Sequence, residues 1–251
     1  MKSVLPLLLN LLDERDGAAR AVVTLIAEYF SMSLDTYCIE EILRRLASES
    51  IDQRRKALDV ISEVINISSN KTSTLSHSIW QDITNHLLDL LKDKEDIIRA
   101  QSTKLLTLID PSLVLPALVG LVYSSDVTLH SSATTTLLNL LTYHNQKPDV
   151  VSMLLDCLSN LNASSDHQNT ASNYSLEGLK RDADQVLKLI PEWAKSVKNW
   201  KLLIGPLVDK MFSKPSNPII VKFLSYISDH LGRASDIVLQ QILLHTESQA
   251  E

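Results

Sequence analysis

Apolar residues along this chain recur at intervals of three and four, and the recurrence stops and restarts many times. Val4, Leu5, Leu8, Leu9 and Leu12 fall on one face of a helix. A polar run at 13–17 breaks the pattern, and Ala18, Val22, Leu25, Ile26 and Tyr29 restart it. The chain therefore opens as a helical hairpin with a short polar turn. Ile39, Ile42, Leu43 and Leu46 then pair with Ala57, Val60, Ile61, Val64 and Ile65. Ile79, Ile83, Leu87, Leu90 and Leu91 precede Ile98, Leu105, Leu106 and Ile109. Pro111 suits a helix's first turn and starts the next stripe, Leu115, Leu118, Val119 and Val122, which turns through "SSD" into Leu129, Ala133, Leu137, Leu140 and Leu141. A fifth pair begins near Pro148 with Val151, Leu154, Leu155 and Leu158, and its second helix is expected from Leu176 to Ile190. Between them, residues 162–175 carry almost no large apolar side chain and predict a flexible insertion. A sixth pair is expected from about Ala194 to Phe212 and from Pro218 to Leu231, followed by a last amphipathic helix from Ala234 to His245.

Units of roughly 30–45 residues are the size at which helical solenoids repeat. One hairpin cannot bury its own apolar face, so copies stack and share a continuous core. The expectation is a single all-α solenoid over residues 1–251, a right-handed α-α superhelix of about six hairpins.

Composition removes the competing fold classes. Five glycines leave few positions for the φ > 0 turns that hairpin-rich sheets need. Apolar residues at 45% and charged ones at 22% are those of a folded chain. The net charge of −6 comes with no concentrated basic cluster, so nucleic acid is not an expected partner, whereas basic segments of other proteins are acceptable ones. Cys38 and Cys157 are isolated among apolar neighbours and read as buried thiols in a reducing compartment. The four charges at 13–16 and Asn10 argue against reading the N-terminal stretch as a signal peptide, and no run approaches the ~20 apolar residues of a membrane span. An intracellular protein, cytoplasmic or nuclear, is expected.

The leucine-rich first helices ("LPLLLNLL", "VLPALVGLV"), an Asp in the turn and a basic residue opening the second helix resemble the HEAT-repeat family of armadillo-like superhelices. Asp16 with Arg20, Asp52 with Arg55, and Asp96 with Arg99 fit that signature. His130 takes the basic place after Asp126, and later units keep only the spacing. The resemblance implies an internal ladder made by the turn Asp and the helix-opening Arg. It also implies a partner surface along the second helices.

No phosphate-cradling glycine loop, zinc-binding or nucleophile-elbow motif occurs, so no enzyme activity, metal or cofactor is expected. The four Asn-x-Ser/Thr sequons read as chance in such a chain. Trp193, Val197 and Trp200 share a helical face, for which core packing is preferred over a peptide groove. The rows Arg20-Thr24-Glu28, Arg55-Asp59-Glu63, Arg99-Thr103-Thr107 and Ser131-Thr135-Asn139 run at i, i+4, i+8 on the second helices. Glu28, Asp59, Glu63, Thr103, Thr135 and Asn139 are the candidate partner-binding residues. The expected function is a non-enzymatic protein-interaction scaffold within a larger assembly. The alternative is a transport or adaptor module capturing a basic peptide. Apolar residues around the first and last helices predict self-association or completion by a partner.

Overall fold

Where the apolar intervals restart in the sequence, helices begin. The computed structural model describes residues 4–13, 19–32, 36–70, 75–166 and 183–248, and every regular element among them is helical. The helices divide into two compact units, Met1–Val114 and Leu115–Glu251.

In the first unit α1 (Val4–Asp13) packs on α2 (Ala19–Met32), α3 (Thr36–Leu46) on α4 (Ile51–Asn70), and α5 (His77–Asp89) on α6 (Asp96–Leu108). A 3-10 turn, Leu90–Lys92, extends α5. The second helices also lie side by side, α2 along α4 and α4 along α6, while α3 lies along α5. Because α4 is pressed from three sides, its apolar stripe is wider than one hairpin requires. Ala57, Leu58, Val60, Ile61, Val64 and Ile65 are all buried. Each large aliphatic side chain so buried stabilises by roughly 1.5–3 kcal/mol.

The turn between the helices of a pair is built the same way three times among the described residues. Ser48, Asp93 and Ser124 each accept, through the side chain, the backbone N–H of the residue two further on: Ser50 at 3.2 Å, Glu95 at 2.9 Å and Asp126 at 3.2 Å. Six residues after each acceptor stands a long donor that reaches back. Arg54 Nη1 donates to the Ser48 and Glu49 carbonyls at 2.8 and 2.9 Å. Arg99 Nη1 donates to those of Asp93 and Lys94 at 2.6 and 3.2 Å. His130 Nδ1 lies 2.5 Å from the Val122 carbonyl, to which it can only donate. These carbonyls emerge where a helix has ended, so the side chains supply partners the backbone lacks.

One rung joins two hairpins. Arg54 Nη2 donates to Asp93 Oδ1 at 3.1 Å, and Nε lies 2.8 Å from Oδ2 as an ion pair rather than an aligned hydrogen bond. This corrects the residue choice made from the sequence. The ladder uses Arg54 and Asp93, while Asp52 and Arg55 are exposed. Arg55 lies one step, about 100° of helix, further round, so it points to solvent. Arg99 does pair with Asp96, within its own helix. Asp16 lies outside the described residues, and Arg20 is exposed.

The boundary between the units falls inside α7 (Pro111–Leu121), which begins at its expected proline. In the second unit α8 (Val127–Tyr143) is followed by α9 (Pro148–Asp166), which runs on through the first residues of the expected insertion; 167–182 lie outside the described residues. The helix expected up to Ile190 is described only from Ala183. There it takes the form of two short helices, α10 (Asp184–Leu187) and α11 (Ile190–Ser196). The helix expected over 194–212 breaks at 197–200. Val197 is extended (ψ 112°), and Asn199 Oδ1 accepts the N–H of Lys201 at 3.2 Å to start α12 (Lys201–Ser213). The next is split at Ile227 (φ −109°, ψ 9°) into α13 (Pro218–Tyr226) and α14 (Ser228–Gly232), before α15 (Ser235–Ser248).

Polar side chains tie these helices together. Trp193 Nε1 donates to the Leu141 carbonyl at 3.1 Å, and Asn145 Nδ2 to that of Ser196 at 2.8 Å. Asn217 Nδ2 meets Ser159 Oγ at 2.8 Å, and Lys222 pairs with Asp184. Asp156 of α9 takes Lys210 of α12 at 2.6 Å and Lys214, just past the end of that helix, at 3.3 Å. Burial pushes the Asp156 carboxyl up, but the two lysines together hold it below the usual carboxylate range.

Three outcomes test this account. Asp93→Ala leaves the Arg54 cation partly buried without its counter-charge, and chemical denaturation should show a loss of about 3 kcal/mol. Arg55→Ala should change stability by about 0.5 kcal/mol or less. Because the folded-state pKa of Asp156 is depressed, its contribution is present above the unfolded-state value of about 4 and is lost as pH falls through the folded one. The stability gap between wild type and Asp156→Asn, about 1 kcal/mol or less for groups this exposed, should therefore be constant at neutral pH and close in acid.

Candidate partner-binding surface

The outward face of each second helix is set by what its inward face must bury. In α2, Val22, Ile26, Ala27 and Phe30 are buried, which turns Arg20 and Glu28 out to solvent. Thr24 Oγ1 donates to the Arg20 carbonyl at 3.2 Å, spending that hydroxyl within the helix. In α4, Arg55 and Asp59 are exposed and Glu63 is half-exposed. Asp59 Oδ1 accepts Gln101 Nε2 of α6 at 2.9 Å, a side-chain bond between neighbouring second helices. Glu63 Oε2 takes Asn66 Nδ2 at 3.4 Å.

The row expected on α6 departs from this. Thr103 and Thr107 are each only 9% exposed. Thr107 Oγ1 donates to the Thr103 carbonyl at 2.8 Å, and with that bond made a small polar side chain can enter a helix seam. Thr103 is therefore not on an open face. Sequence reasoning missed Gln101. Its bond to Asp59 depends on the register between neighbouring helices, for which the sequence carries no signal of its own. In the second unit, Thr135 and Asn139 are exposed on α8.

The aromatic set on 193–200 is packing. Trp193 and Val197 are buried, and Trp200 meets the Trp193 ring edge-on at 5.9 Å and stacks on His230 at 4.8 Å. Elsewhere Arg44 holds the Glu41 carboxyl below its ordinary range, against burial and with help from Arg45. Cys38 is buried as expected, but Cys157 is half-buried; burial, with Asp156 beside it, pushes its thiol up. Among the described residues no trio of His, Cys, Asp or Glu is placed to hold a metal ion, and no helix is long and apolar enough to cross a membrane.

No protein-family model matches the sequence, and no curated protein matches it. Solved structures do. An archaeal HEAT-like repeats protein from Thermococcus onnurineus is 19% identical, over 96% of this chain and 89% of that one, with a TM-score of 0.38. A designed armadillo repeat protein is 14% identical over 89% of this chain and 98% of that one, with a TM-score of 0.31. Another, solved in complex with the peptide (KR)4, is 14% identical over the same shares, with a TM-score of 0.33. The fold assignment stands on the chain's own helices and their packing: this is an all-α repeat protein of stacked helical hairpins, and HEAT-like and armadillo repeat proteins are among its structural neighbours.

Proposed function

We propose that the chain is a non-enzymatic scaffold for protein–protein interaction, a segment or subunit of a larger assembly, that receives its partner on the outward positions of its second helices. The observation carrying this reading is the side-by-side layer of α2, α4 and α6. Apart from the exposed Leu25, Ile51 and Ile97, their described large apolar residues are buried or half-buried, and Glu28 and Asp59 are exposed with Glu63 half-exposed. Surfaces assembled from successive repeats spread contacts over several units, which suits them to extended partners. Thr135 and Asn139 supply a similar polar face in the second unit, whereas Thr103 is too buried to reach a partner. The three outward carboxylates favour a second reading, an adaptor that captures a basic peptide.

The test of both is simultaneous reversal, Glu28→Lys, Asp59→Lys and Glu63→Lys. Binding to a co-purified partner crosslinked to α2 or α4 should fall several-fold. The melting temperature should stay nearly unchanged, since such surface changes cost about 0.5 kcal/mol or less each. Unchanged binding overturns the surface assignment. An octapeptide of alternating Lys and Arg separates the readings: salt-sensitive binding lost in the triple variant supports the adaptor, and no binding removes it.

The exposed side of α15 carries Leu239, Leu243 and Leu244, at 60%, 60% and 53% exposure. An apolar face of this kind commonly marks an interface, and we propose a second copy of the chain as its occupant. Sedimentation velocity should show concentration-dependent association that Leu239→Glu with Leu243→Glu abolishes. A concentration-independent monomer overturns it.

A further inference from the structure

Two leucine faces stand in water, one in each unit. On α15, Leu239 and Leu243 lie one turn apart with Leu244 beside them. On α1, Leu7 and Leu11 repeat that i, i+4 spacing and are 62% and 44% exposed, while Leu9 and Leu12 fill the buried side of the helix. What separates the two faces is charge. Asp236 stands one turn before Leu239 and Glu247 one turn after Leu243, both exposed and both on the leucine side of α15. The only other titratable group along this stretch, His245, is turned toward α12, where it stacks on Phe212 at 4.4 Å and meets Asp209. Joining two copies α15 to α15 therefore sets like charges together. Antiparallel, Asp236 of one copy comes beside Glu247 of the other; parallel, each carboxylate meets its own counterpart. Such juxtapositions count against a partner. The α1 face raises no such obstacle. Its exposed described residues are Pro6, Leu7, Asn10 and Leu11, none of them charged, and the Asn10 amide can donate to a carboxylate.

We propose that the second copy covers α15 with its α1, so that the chain associates head to tail. The ridge of Leu7 and Leu11 packs across Leu239, Leu243 and Leu244, and Asn10 gives the bracketing carboxylates a donor. Interdigitation of i, i+4 ridges is the commonest way two helices pack. The contact is heterologous, so each pair retains one unused α1 and one unused α15. Association then continues into longer chains or closes as a ring. This rests on the self-association proposed above and names the face of the second copy that takes part.

The experiment mixes two variants of the full chain. Leu7→Glu with Leu11→Glu blocks the α1 face, and Leu239→Glu with Leu243→Glu blocks the α15 face. In sedimentation velocity each variant by itself should be a monomer at concentrations where the wild type associates. An equimolar mixture should form a 1:1 complex that grows no further, because only one α1 face and one α15 face are intact in it. If the glutamates disturb α1, as circular dichroism would reveal, Leu7→Ala with Leu11→Ala keeps a strong helix former at both positions. That variant should associate at least about tenfold more weakly than wild type, and unchanged affinity overturns the proposal. Self-association of the α1-blocked variant, or a mixture that stays monomeric, also overturns it, and in both cases the wild-type association still stands. A wild type that is monomeric at every concentration overturns the self-association itself.

Discussion

Two amphipathic helices folded against each other still leave an apolar flank in water, and the first unit is organised around covering it. The helix α4 shows the constraint most plainly. With α3 on one side and α2 and α6 along it, its buried residues cover an arc of about 160°, wider than the ~100° stripe of an ordinary surface helix. No hairpin in such a unit is stable by itself to the degree it is stable in the stack, because nearest-neighbour interfaces supply much of the energy. The polar side chains then answer a second requirement. Each turn ends a helix and frees carbonyl groups, and a donor six residues beyond each turn acceptor reaches back to them.

Much of this was legible in the sequence because the apolar spacing is the physical cause of the fold. Val60, Ile61, Val64 and Ile65 were identified from their intervals alone, and all are buried. Leu58 was passed over, although it is buried too and stands at i, i+3, i+7 with Ile61 and Ile65. The ladder was legible in kind and misread by one position. Arg54 and Arg55 are adjacent and chemically alike, and only the three-dimensional turn tells which one faces back. Helix ends were the least legible. The break at 197–200 depends on an extended Val197 and on the Asn199 side chain accepting the Lys201 N–H, local choices that leave the apolar interval nearly intact across the junction.

The candidate surface was read more loosely than the core. Glu28 and Asp59 do face outward, since a charged residue opposite a buried stripe has no other favourable place. Thr103 defeated the same logic, because threonine can satisfy its hydroxyl on its own helix and so tolerates either environment. The bond between Asp59 and Gln101 joins residues from different repeats. Such a pairing depends on how neighbouring helices are registered, which periodicity within one helix does not encode.

The Arg54–Asp93 rung has a consequence for the order of events during synthesis. Arg54 leaves the ribosome 39 residues ahead of Asp93, which at about 5–20 residues per second is a delay of roughly 2–8 s. Through that interval the guanidinium already has the Ser48 and Glu49 carbonyls of its own turn to hold. It is thus oriented toward the place its counter-charge will occupy. The flank of α4 that α6 will cover is bare for the same few seconds. That nascent surface is where a ribosome-associated chaperone has the most to shield, and it disappears when the next hairpin docks.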